Sequence, residues 1–477
     1  MRFMNPRLSY LLLIAAVVSV PITLEAQEIQ DATLKEFVLQ AIETHEMVQI
    51  ADSEIRRAQA DVTLAKSILL PRLDANGSYT FYDDDLSIEL SPDESFVIRP
   101  RQDWTASIDL RQNLFTGLRA FRARDIAKLR RDIADLDRWT TINNLTLDVA
   151  RTFFDAVAMA EWVEVREIVL EENENQLKVA ERLFEVGENS IADVARWRAQ
   201  VAAAKQGLTV AVCDAALARN RLARLVGTAE FGELKSPGAI PIPDGTEEEL
   251  TTKAFTQRPE VLTLIHQLEA AGLMVKFERG VWYPQLDASA QYFQQKSGFP
   301  ANDWLSLTLN LRQQIFDGGI AKAQVAKAKE DLRQVELLEQ TLRRTIEDQV
   351  DSAYIGYEAA SAVYDAARER TEASRLAYRQ VERAYRVGEA STTDLLNSTT
   401  EATDAETSQI VARVQREFQA ISLRYAVGLP PLPDLDFRQM SQADPQENWD
   451  EDHPTMFPDR SCHHPFRRSA RRLPRRG

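Results

Sequence analysis

The chain has 477 residues, a formal net charge of −16, and only 17 glycines and 19 prolines. Seven arginines after Asp459 hide part of the acidity, so the body of the chain is more acidic still, which disfavours binding to nucleic acid. Two cysteines, Cys213 and Cys462, are too few for a disulfide framework, and the scarcity of glycine and proline favours long helices.

The N-terminal residues are typical of an export signal. Arg2 and Arg7 form a positive region, Leu11–Val20 is the apolar core, and a cleavage site ends at Ala26. The core is shorter than the span of about 20 residues that a transmembrane helix needs. We therefore predict a cleaved signal peptide at 1–26, with a membrane anchor as the alternative, and no later apolar helix that crosses a membrane.

Four later stretches alternate strictly between apolar and polar side chains. The first two are Arg72–Tyr82 and Asp103–Asn113, and the other two contain Leu286–Tyr292 and Leu305–Leu311. Each is about 10 residues long, the length of a tilted strand that crosses a bilayer. A soluble sheet with one buried face shows the same alternation, so the strands alone leave both possibilities open.

A long helix is predicted after each pair of strands. Residues Leu118 to Val186 contain no Gly or Pro, and residues Ile320 to Val387 contain only Gly356. Each run would form a helix of about 100 Å, which is too long for a compact domain. An apolar repeat of seven predicts that neighbouring helices wind left-handedly around each other. Its members are Ile142, Val149, Ala156, Val163, Leu170, Leu177 and Phe184 in the first helix, and Val350, Tyr357, Tyr364, Tyr378 and Tyr385, with Thr371 as the exception, in the second.

The segment Val186–Arg196 (VGENSIADVAR) occurs again 201 residues later as Val387–Asn397 (VGEASTTDLLN). We predict that each copy is the tip of a helical hairpin, because Gly187 and Gly388 can end a helix in the left-handed conformation. Both tips are expected at the same end of the molecule. Candidate N-caps of the returning helices are Asn189 or Ser190 and Ser391 or Thr392.

The tips belong to a unit that is present twice. Leu70–Tyr79 (LPRLDANGSY) matches Tyr283–Tyr292 (YPQLDASAQY) at an offset of 213, so the first copy has 12 extra residues. They fall between its strands, in the acidic segment Asp83–Phe96, which we predict to be a solvated loop. The predicted order is a signal peptide at 1–26, a first repeat of helix, two strands and hairpin at 27–227, a Pro-rich irregular linker at 228–257, a second repeat at 258–428, a C-terminal segment at 429–453 and a disordered basic tail at 454–477.

From about Thr33 to Leu432 the chain resembles the TolC-type outer membrane efflux proteins. The features that carry the resemblance are NLFTGL and QIFDGG at the strand-to-helix junctions, LPRL and YPQL before the strands, the paired VGxxSxxD tips and the tandem duplication. The resemblance implies an α+β fold in which three chains each give four strands to one outer-membrane β-barrel. This barrel would be continuous with a long periplasmic α-helical coiled-coil barrel. Four strands cannot close on themselves, and an open sheet edge in lipid leaves backbone groups unsatisfied, which also calls for an oligomer.

The resemblance also implies a function. A homotrimer in outer-membrane lipid would export substrates by passive conduction, with its tips docked to a periplasmic adaptor protein and, through it, to an inner-membrane pump for efflux or type I secretion. The implied docking residues are Val186, Gly187, Glu188, Val387, Gly388 and Glu389. The implied strand-to-helix junction residues are Phe115, Gly117, Phe316, Gly318 and Gly319.

In the family, acidic residues on the returning helices ring the closed periplasmic mouth, and Asp193 and Asp394 match two such positions. Asn397 stands where the family has a further acid, and Ala390 stands where relatives have a basic residue that locks the mouth. Candidates for a substitute lock are Arg196 and Arg386. The alternative is that both aspartates are ordinary helix-start residues, a position where the helix dipole also favours acids.

The sequence contains no catalytic constellation, no phosphate-binding glycine loop and no helical metal-ligand spacing among its five histidines. The Cys462–His464 motif could bind a metal, but it lies in a Pro- and Arg-rich tail. We therefore expect no enzymatic activity, no cofactor and no metal site. The rival function is that of a soluble or structural coiled-coil protein of the envelope with a small β-domain.

Overall fold

The computed structural model describes residues 33–91, 94–228, 231–296, 303–433 and 435. The predicted signal peptide, the basic tail and the Cys462–His464 motif lie outside the described residues. The helices are α1 (Leu34–Thr44), α2 (Glu46–Ser67), α3 (Arg119–Glu185), α4 (Ile191–Val226), α5 (Glu247–Gln257), α6 (Pro259–Arg279), α7 (Ile320–Arg386) and α8 (Thr392–Ala426). The strands are β1 (Arg72–Phe81), β2 (Leu86–Ser91), β3 (Glu94–Arg99), β4 (Gln102–Thr116), β5 (Gln285–Gln295) and β6 (Asp303–Arg312).

The described residues fall into two compact units. The first lies within residues 1–45, 148–239 and 360–418 and contains α1, α4 and both hairpin tips. The second lies within residues 46–147, 240–359 and 419–477 and contains all six strands. Each unit therefore contains parts of both sequence repeats, so the repeats are not separate compact units.

The second unit contains a four-stranded antiparallel sheet in the order β1-β4-β5-β6. Strand β4 pairs with β1 on one side and with β5 on the other, and β5 pairs in turn with β6. All four predicted strands are present, and β4 extends beyond its predicted end to Thr116. Strands β1 and β6 are the two edges of this sheet.

The internal repeat is visible in matching hydrogen bonds of the second unit. Gln112 donates from its amide to the Leu69 carbonyl at 3.0 Å. At the equivalent positions of the second copy, Gln313 donates to the Trp282 carbonyl at 3.2 Å. The segment before the first strand is therefore hydrogen-bonded to a glutamine near the end of the second strand in the same way in both repeats.

Helix α5 lies inside the predicted linker 228–257 and is the counterpart of α1. A threonine opens each helix and shares a capping box with a glutamate three residues later, at Thr246 for α5 and at Thr33 for α1. Leu250 and Ala254 of α5 are fully buried in the apolar core of the second unit. The helical part of the second repeat thus begins before residue 258, because capping and amphipathic spacing outweigh the preceding prolines.

The extra residues of the first copy form a β-hairpin where a solvated loop is predicted. Strands β2 and β3 pair with each other, and Ile88 lies opposite Phe96. The alternating letters LSIEL and SFVIR explain why this segment adopts strands. Its exposed large apolar side chains are Leu86, Ile88, Phe96, Val97 and Ile98.

Helices α3 and α7 confirm the two predicted long helices, and each has 67 residues. Gly356 does not interrupt α7. The seven-residue series is buried or half-buried in both helices except at Phe184, which is exposed. Thr371, the polar exception in the series, is also buried, and its hydroxyl donates to the Ala405 carbonyl of α8 at 3.0 Å. A polar side chain fits this helix interface because its hydrogen bond is satisfied.

Among the described residues, helix α4 is long enough and apolar enough to cross a membrane, contrary to the prediction that no such segment follows the signal peptide. Only 22% of its most apolar window is buried. Length and composition do not by themselves place a helix in a bilayer, because the core helices of soluble proteins pass the same test.

Candidate functional site

Each hairpin tip is a tight turn that contains a glycine. Gly187 and Gly388 both have a φ of +78°, the left-handed conformation that side-chain-bearing residues rarely adopt. The amide of the next residue, Glu188 or Glu389, donates back to the last turn of the long helix at 2.9 or 2.8 Å. These bonds satisfy carbonyls at the helix end, and the predicted left-handed helix ends are confirmed at both tips.

The returning helices begin with capping boxes at Ser190 and Ser391. The Ser190 hydroxyl donates to the Asp193 carboxylate at 2.6 Å and accepts from the Asp193 backbone N–H at 3.2 Å. Ser391 and Asp394 are joined in the same way, at 2.7 and 3.2 Å. The two serines are therefore the N-caps, and both aspartates take part in stabilising a helix start.

These hydrogen bonds hold the pKa of both carboxyls below the ordinary value. The Ser190 hydroxyl is the largest cause at Asp193, where the Thr392 hydroxyl is a further donor. The hydroxyl and the backbone N–H of Ser391 lower the pKa of Asp394. Both groups are ionised at neutral pH. Because each pKa is lowered on folding, the stabilisation by these carboxylates is present above the ordinary pKa of about 4 and is lost as the pH falls through the lowered value.

An apolar core joins the two tips within the first unit. Trp197 of α4 is fully buried and packs with Tyr385 of α7 and Leu395 of α8. Sequence reasoning missed Trp197 because its equivalent in the second repeat is Ser398, so the comparison of the two copies gives no signal there. The tips are thus held together by an apolar core whose largest side chain, Trp197, has no apolar equivalent in the second repeat.

The predicted aperture residues differ in their surroundings. Asp394 and Asn397 are exposed, whereas Asp193 is half-buried. Arg196 lies 3.6 Å from Asp193 in an ion pair on its own helix. Arg386 pairs at 2.6 Å with a glutamate of its own helix. Neither arginine forms a salt bridge with Asp394 among the described residues, so a substitute lock at this position stays a prediction.

The strand register brings the apolar positions of the sheet to one face. Leu110 of β4 lies opposite Leu73 of β1 and Ala290 of β5, and Ala290 lies opposite Leu307 of β6. The leucines of β6 are 67 to 78% exposed. The side chains of this face include Leu73, Tyr79, Trp104, Ala106, Ile108, Leu110, Leu286, Ala288, Ala290, Tyr292, Leu305, Leu307, Leu309 and Leu311. An apolar surface that continues across four strands is typical of contact with a non-aqueous environment.

The opposite face of the sheet is polar and contains a hydrogen-bond network around Asp109. Its carboxylate accepts from Asn76 of β1 at 2.7 Å, from Ser107 at 2.8 Å and from Gln291 of β5 at 2.7 Å. The network connects three neighbouring strands. An apolar face backed by a polar face is typical of strands that separate lipid from a water-filled lumen.

Each strand-to-helix junction has two successive residues with positive φ. They are Gly117 (+65°) and Leu118 (+64°) in the first copy and Gly318 (+69°) and Gly319 (+92°) in the second. A Cβ on Gly117 would lie 2.2 Å from the carbonyl oxygen of Gly280. No atom of the described residues lies within 4 Å of a Cβ built on Gly318. The junctions therefore share a backbone conformation but differ in their surroundings.

The junction phenylalanines show the same difference. Phe115 is 36% exposed, and it lies opposite Leu286 of β5. Phe316, its equivalent in the second copy, is 88% exposed. Strand β5 covers the first junction. Strand β6, which leads to the second junction, is an edge strand and has no described neighbour on the equivalent side.

No group of three or more His, Cys, Asp or Glu that could hold a metal ion is found in the part of the chain that the structure describes. Cys213 is exposed on α4. The expectation that the protein needs no cofactor stays a prediction.

The tips, the junctions and the strands of the sheet lie in the part of the chain that matches a known family. The chain matches the family described as "Outer membrane efflux protein" over residues 38–228 and 250–429. The chain belongs to the outer membrane efflux protein family. This outer membrane efflux protein is therefore a transport protein of the outer membrane, as predicted, and its two matched segments fall in the two sequence repeats.

Two relatives of this outer membrane efflux protein extend over most of its length. The outer membrane efflux protein BepC of Brucella suis biovar 1 is 26% identical over 427 residues, which cover 87% of this chain and 89% of BepC. The pyoverdine export outer membrane protein OpmQ of Pseudomonas putida is 25% identical over 410 residues, which cover 81% of this chain and 83% of OpmQ. These names support efflux and not the rival function of a soluble envelope protein.

Solved structures have the same fold. The CmeC outer membrane channel of Campylobacter jejuni superposes with a TM-score of 0.71 at 16% identity, over 85% of this chain and 88% of CmeC. The open state of the MtrE outer membrane channel of Neisseria gonorrhoeae gives 0.69 at 19% identity, over 84% and 90%. The predicted α+β fold, with four sheet strands per chain and two long helical hairpins, is confirmed.

Proposed function

We propose that three copies of this efflux protein close one twelve-stranded barrel in the outer membrane and export substrates through it by passive conduction. The observation that carries the proposal is the sheet, which has one apolar face, one polar face and two open edges at β1 and β6. In lipid, unpaired backbone groups at an edge cost several kcal/mol each, so both edges must find partners. A second and third copy supply them, and the polar faces then line a common lumen.

The internal repeat specifies how neighbouring chains of the trimer would pair. Inside one chain, Ile108 of β4 lies opposite Tyr292 of β5. Strand β6 is the repeat equivalent of β4, and β1 is the equivalent of β5. The same register places Leu309 of one chain opposite Tyr79 of the next chain in the trimer. It also continues the apolar face across the contact between β6 of one chain and β1 of the next.

The hairpin tips are proposed to dock a periplasmic adaptor protein that leads to an inner-membrane pump. Val186 and Val387 are each 70% exposed, although both are apolar. Glu188 and Glu389 follow at equivalent positions of the same turn. A trimer would present six tips with the same backbone conformation. This arrangement suits an adaptor protein that binds as several subunits around the trimer axis.

The exposed carboxylate of Asp394 is proposed to line the periplasmic mouth. Three copies around the axis would focus negative potential there, as carboxylate rings do in cation-selective pores. Asp394→Ala should therefore lower the preference for cations over anions, measured as the reversal potential in a salt gradient across a planar bilayer, and weaken block by trivalent cations. Asp193→Ala should act in the same direction but more weakly, because Asp193 is half-buried. Asn397 on the next helical turn would line the same mouth without adding charge.

The matched control for Asp394→Ala is Ser391→Ala. Both substitutions remove the capping box, at a cost of about 1 kcal/mol, but only Asp394→Ala removes the charge. Ser391→Ala should leave the reversal potential unchanged. Equal shifts in the two variants, or no shift in Asp394→Ala with normal assembly, would leave Asp394 as a helix-capping residue only.

Channel formation itself is tested by fractionation and reconstitution. We expect a heat-modifiable oligomer in outer-membrane fractions, and stepwise conductance when the purified oligomer is added to a planar bilayer. A soluble periplasmic monomer that gives no conductance would contradict the proposed function.

A further inference from the structure

One aromatic pair lies on the polar face of the sheet. Phe293 of β5 and Trp304 of β6 are opposite each other in the register, with ring centroids 4.4 Å apart and an interplanar angle of 27°. The strand alternation places both rings on the face that contains Ser107 and Gln291, and Trp304 is 40% exposed. The pair is two residues or fewer from the strand ends that lead into residues 297–302.

The fold does not need aromatic residues at these two positions. Their repeat equivalents in the first copy are Thr80 and Asp103, which also lie opposite each other in register. The same backbone thus accepts two polar side chains there. An exposed tryptophan ring stacked on a half-buried phenylalanine ring, on an otherwise polar face, calls for an explanation other than strand pairing.

Carboxylates flank the aromatic pair on the same face. Ser107 is the residue opposite Phe293 on β4. Asp109 is two residues away from Ser107 in one direction, roughly 7 Å along the strand, and Asp103 is four residues away in the other, roughly 13 Å. One carboxylate oxygen of Asp103 is shielded from solvent and receives no hydrogen bond from any described residue. Arg111 lies further from the rings than Asp109 does, and the nearest described ammonium, that of Lys296, donates to the Gln102 carbonyl at 2.9 Å.

We propose that Phe293 and Trp304, together with Asp103 and Asp109, form a binding subsite for aromatic cations inside the barrel. A flat ring would stack on the exposed face of Trp304, and its ammonium group would be attracted by the flanking carboxylates. Asp109 acts by its charge, because its oxygens already accept three hydrogen bonds. Asp103 also acts by its charge, because its unpaired carboxylate oxygen is shielded from solvent. The inference rests on the proposed function in one respect, that the polar face lines the lumen.

Two probes of equal charge separate stacking from simple attraction. Binding of 1-naphthylmethylammonium and of cyclohexylmethylammonium to the purified oligomer is measured by equilibrium dialysis, and block of conductance by both is measured in planar bilayers. We expect the aromatic cation to bind about tenfold more tightly, the range that one ring-stacking contact supplies. Trp304→Leu should abolish this preference. Asp103→Asn should weaken binding of both cations equally and keep the preference.

The matched control is Tyr292→Leu, which removes a ring from the same strand but from the apolar face. It should leave the preference intact. If Trp304→Leu fails to assemble, Phe293→Leu takes its place, because it removes the other half of the stack. Equal binding of the two cations by the wild-type oligomer, or an unchanged preference in the assembled variant, would overturn the subsite. Preferential binding without any conductance would instead keep the subsite and contradict the channel.

Discussion

Gly117→Ala is expected to prevent folding of the strand-to-helix junction in the first copy. The added Cβ would lie 2.2 Å from the Gly280 carbonyl oxygen and 3.1 Å from the Tyr283 Cβ, so the backbone of another segment would have to move. The left-handed conformation adds a further penalty for alanine. Together we expect a loss of about 4 kcal/mol or more. The measurement is the amount of heat-stable oligomer recovered from outer membranes.

Gly187→Ala is the matched control for this substitution. Gly187 has a φ of +78°, but a Cβ there would meet no atom within 4 Å in the part of the chain that the structure describes. Only the conformational penalty of about 1–2 kcal/mol remains. The oligomer should therefore still assemble. Equal recovery of the two variants would show that the close approach at Gly117 does not matter.

Leu309→Arg is expected to have the second largest effect, on stability in the membrane. Leu309 is 67% exposed on the apolar face of β6, and its neighbours on that face are Leu307 and Leu311. If this face contacts lipid near the midplane, an arginine there costs about 2–4 kcal/mol. The yield of oligomer in membranes and its urea midpoint should both fall.

Asn310→Arg provides the matched control, because it introduces the same side chain one residue further along the same strand. Asn310 lies opposite Asp287 on the polar face, where water and a carboxylate can accommodate the guanidinium. This variant should assemble normally. Equal damage at both positions would indicate a sheet that is buried on both sides and would count against a lipid-facing surface.

Much of the fold follows from local sequence patterns. Period-two alternation predicts all four sheet strands, and the scarcity of glycine and proline predicts α3 and α7. Gly187 and Gly388 are predictable as helix ends because a left-handed residue is needed where a helix stops. These features depend on neighbouring residues only, so they can be recognised without tertiary structure.

Features that depend on the surroundings could not be predicted in this way. Helix α5 is hidden because a Pro-rich segment precedes its capping threonine, and Trp197 is hidden because its repeat equivalent is a serine. The two junction glycines Gly117 and Gly318 look alike in sequence, yet within the described ranges only the first is closely approached by another segment. Repeat comparison shows what the two copies share, whereas these differences arise from what each copy contacts.

The role of Asp394 shows a different limit. A helix-start aspartate and a mouth-lining aspartate occupy the same position of the same turn, so the sequence supports both roles. The capping box with Ser391 establishes the first role. The second depends on neighbouring copies and therefore stays a prediction for the assembled channel.

The most direct test of the closed barrel is a disulfide cross-link between copies. In a background with Cys213→Ser and Cys462→Ser, Tyr79→Cys and Leu309→Cys are combined in one chain. The proposed register brings these positions directly opposite each other in neighbouring copies, within reach of a disulfide. Oxidation should produce covalent dimers and trimers on a non-reducing gel. Tyr79→Cys with Leu305→Cys, four residues out of register, should produce none. A monomer band alone from the in-register pair, or equal cross-linking of both pairs, would contradict a barrel closed by β6 and β1 of adjacent copies.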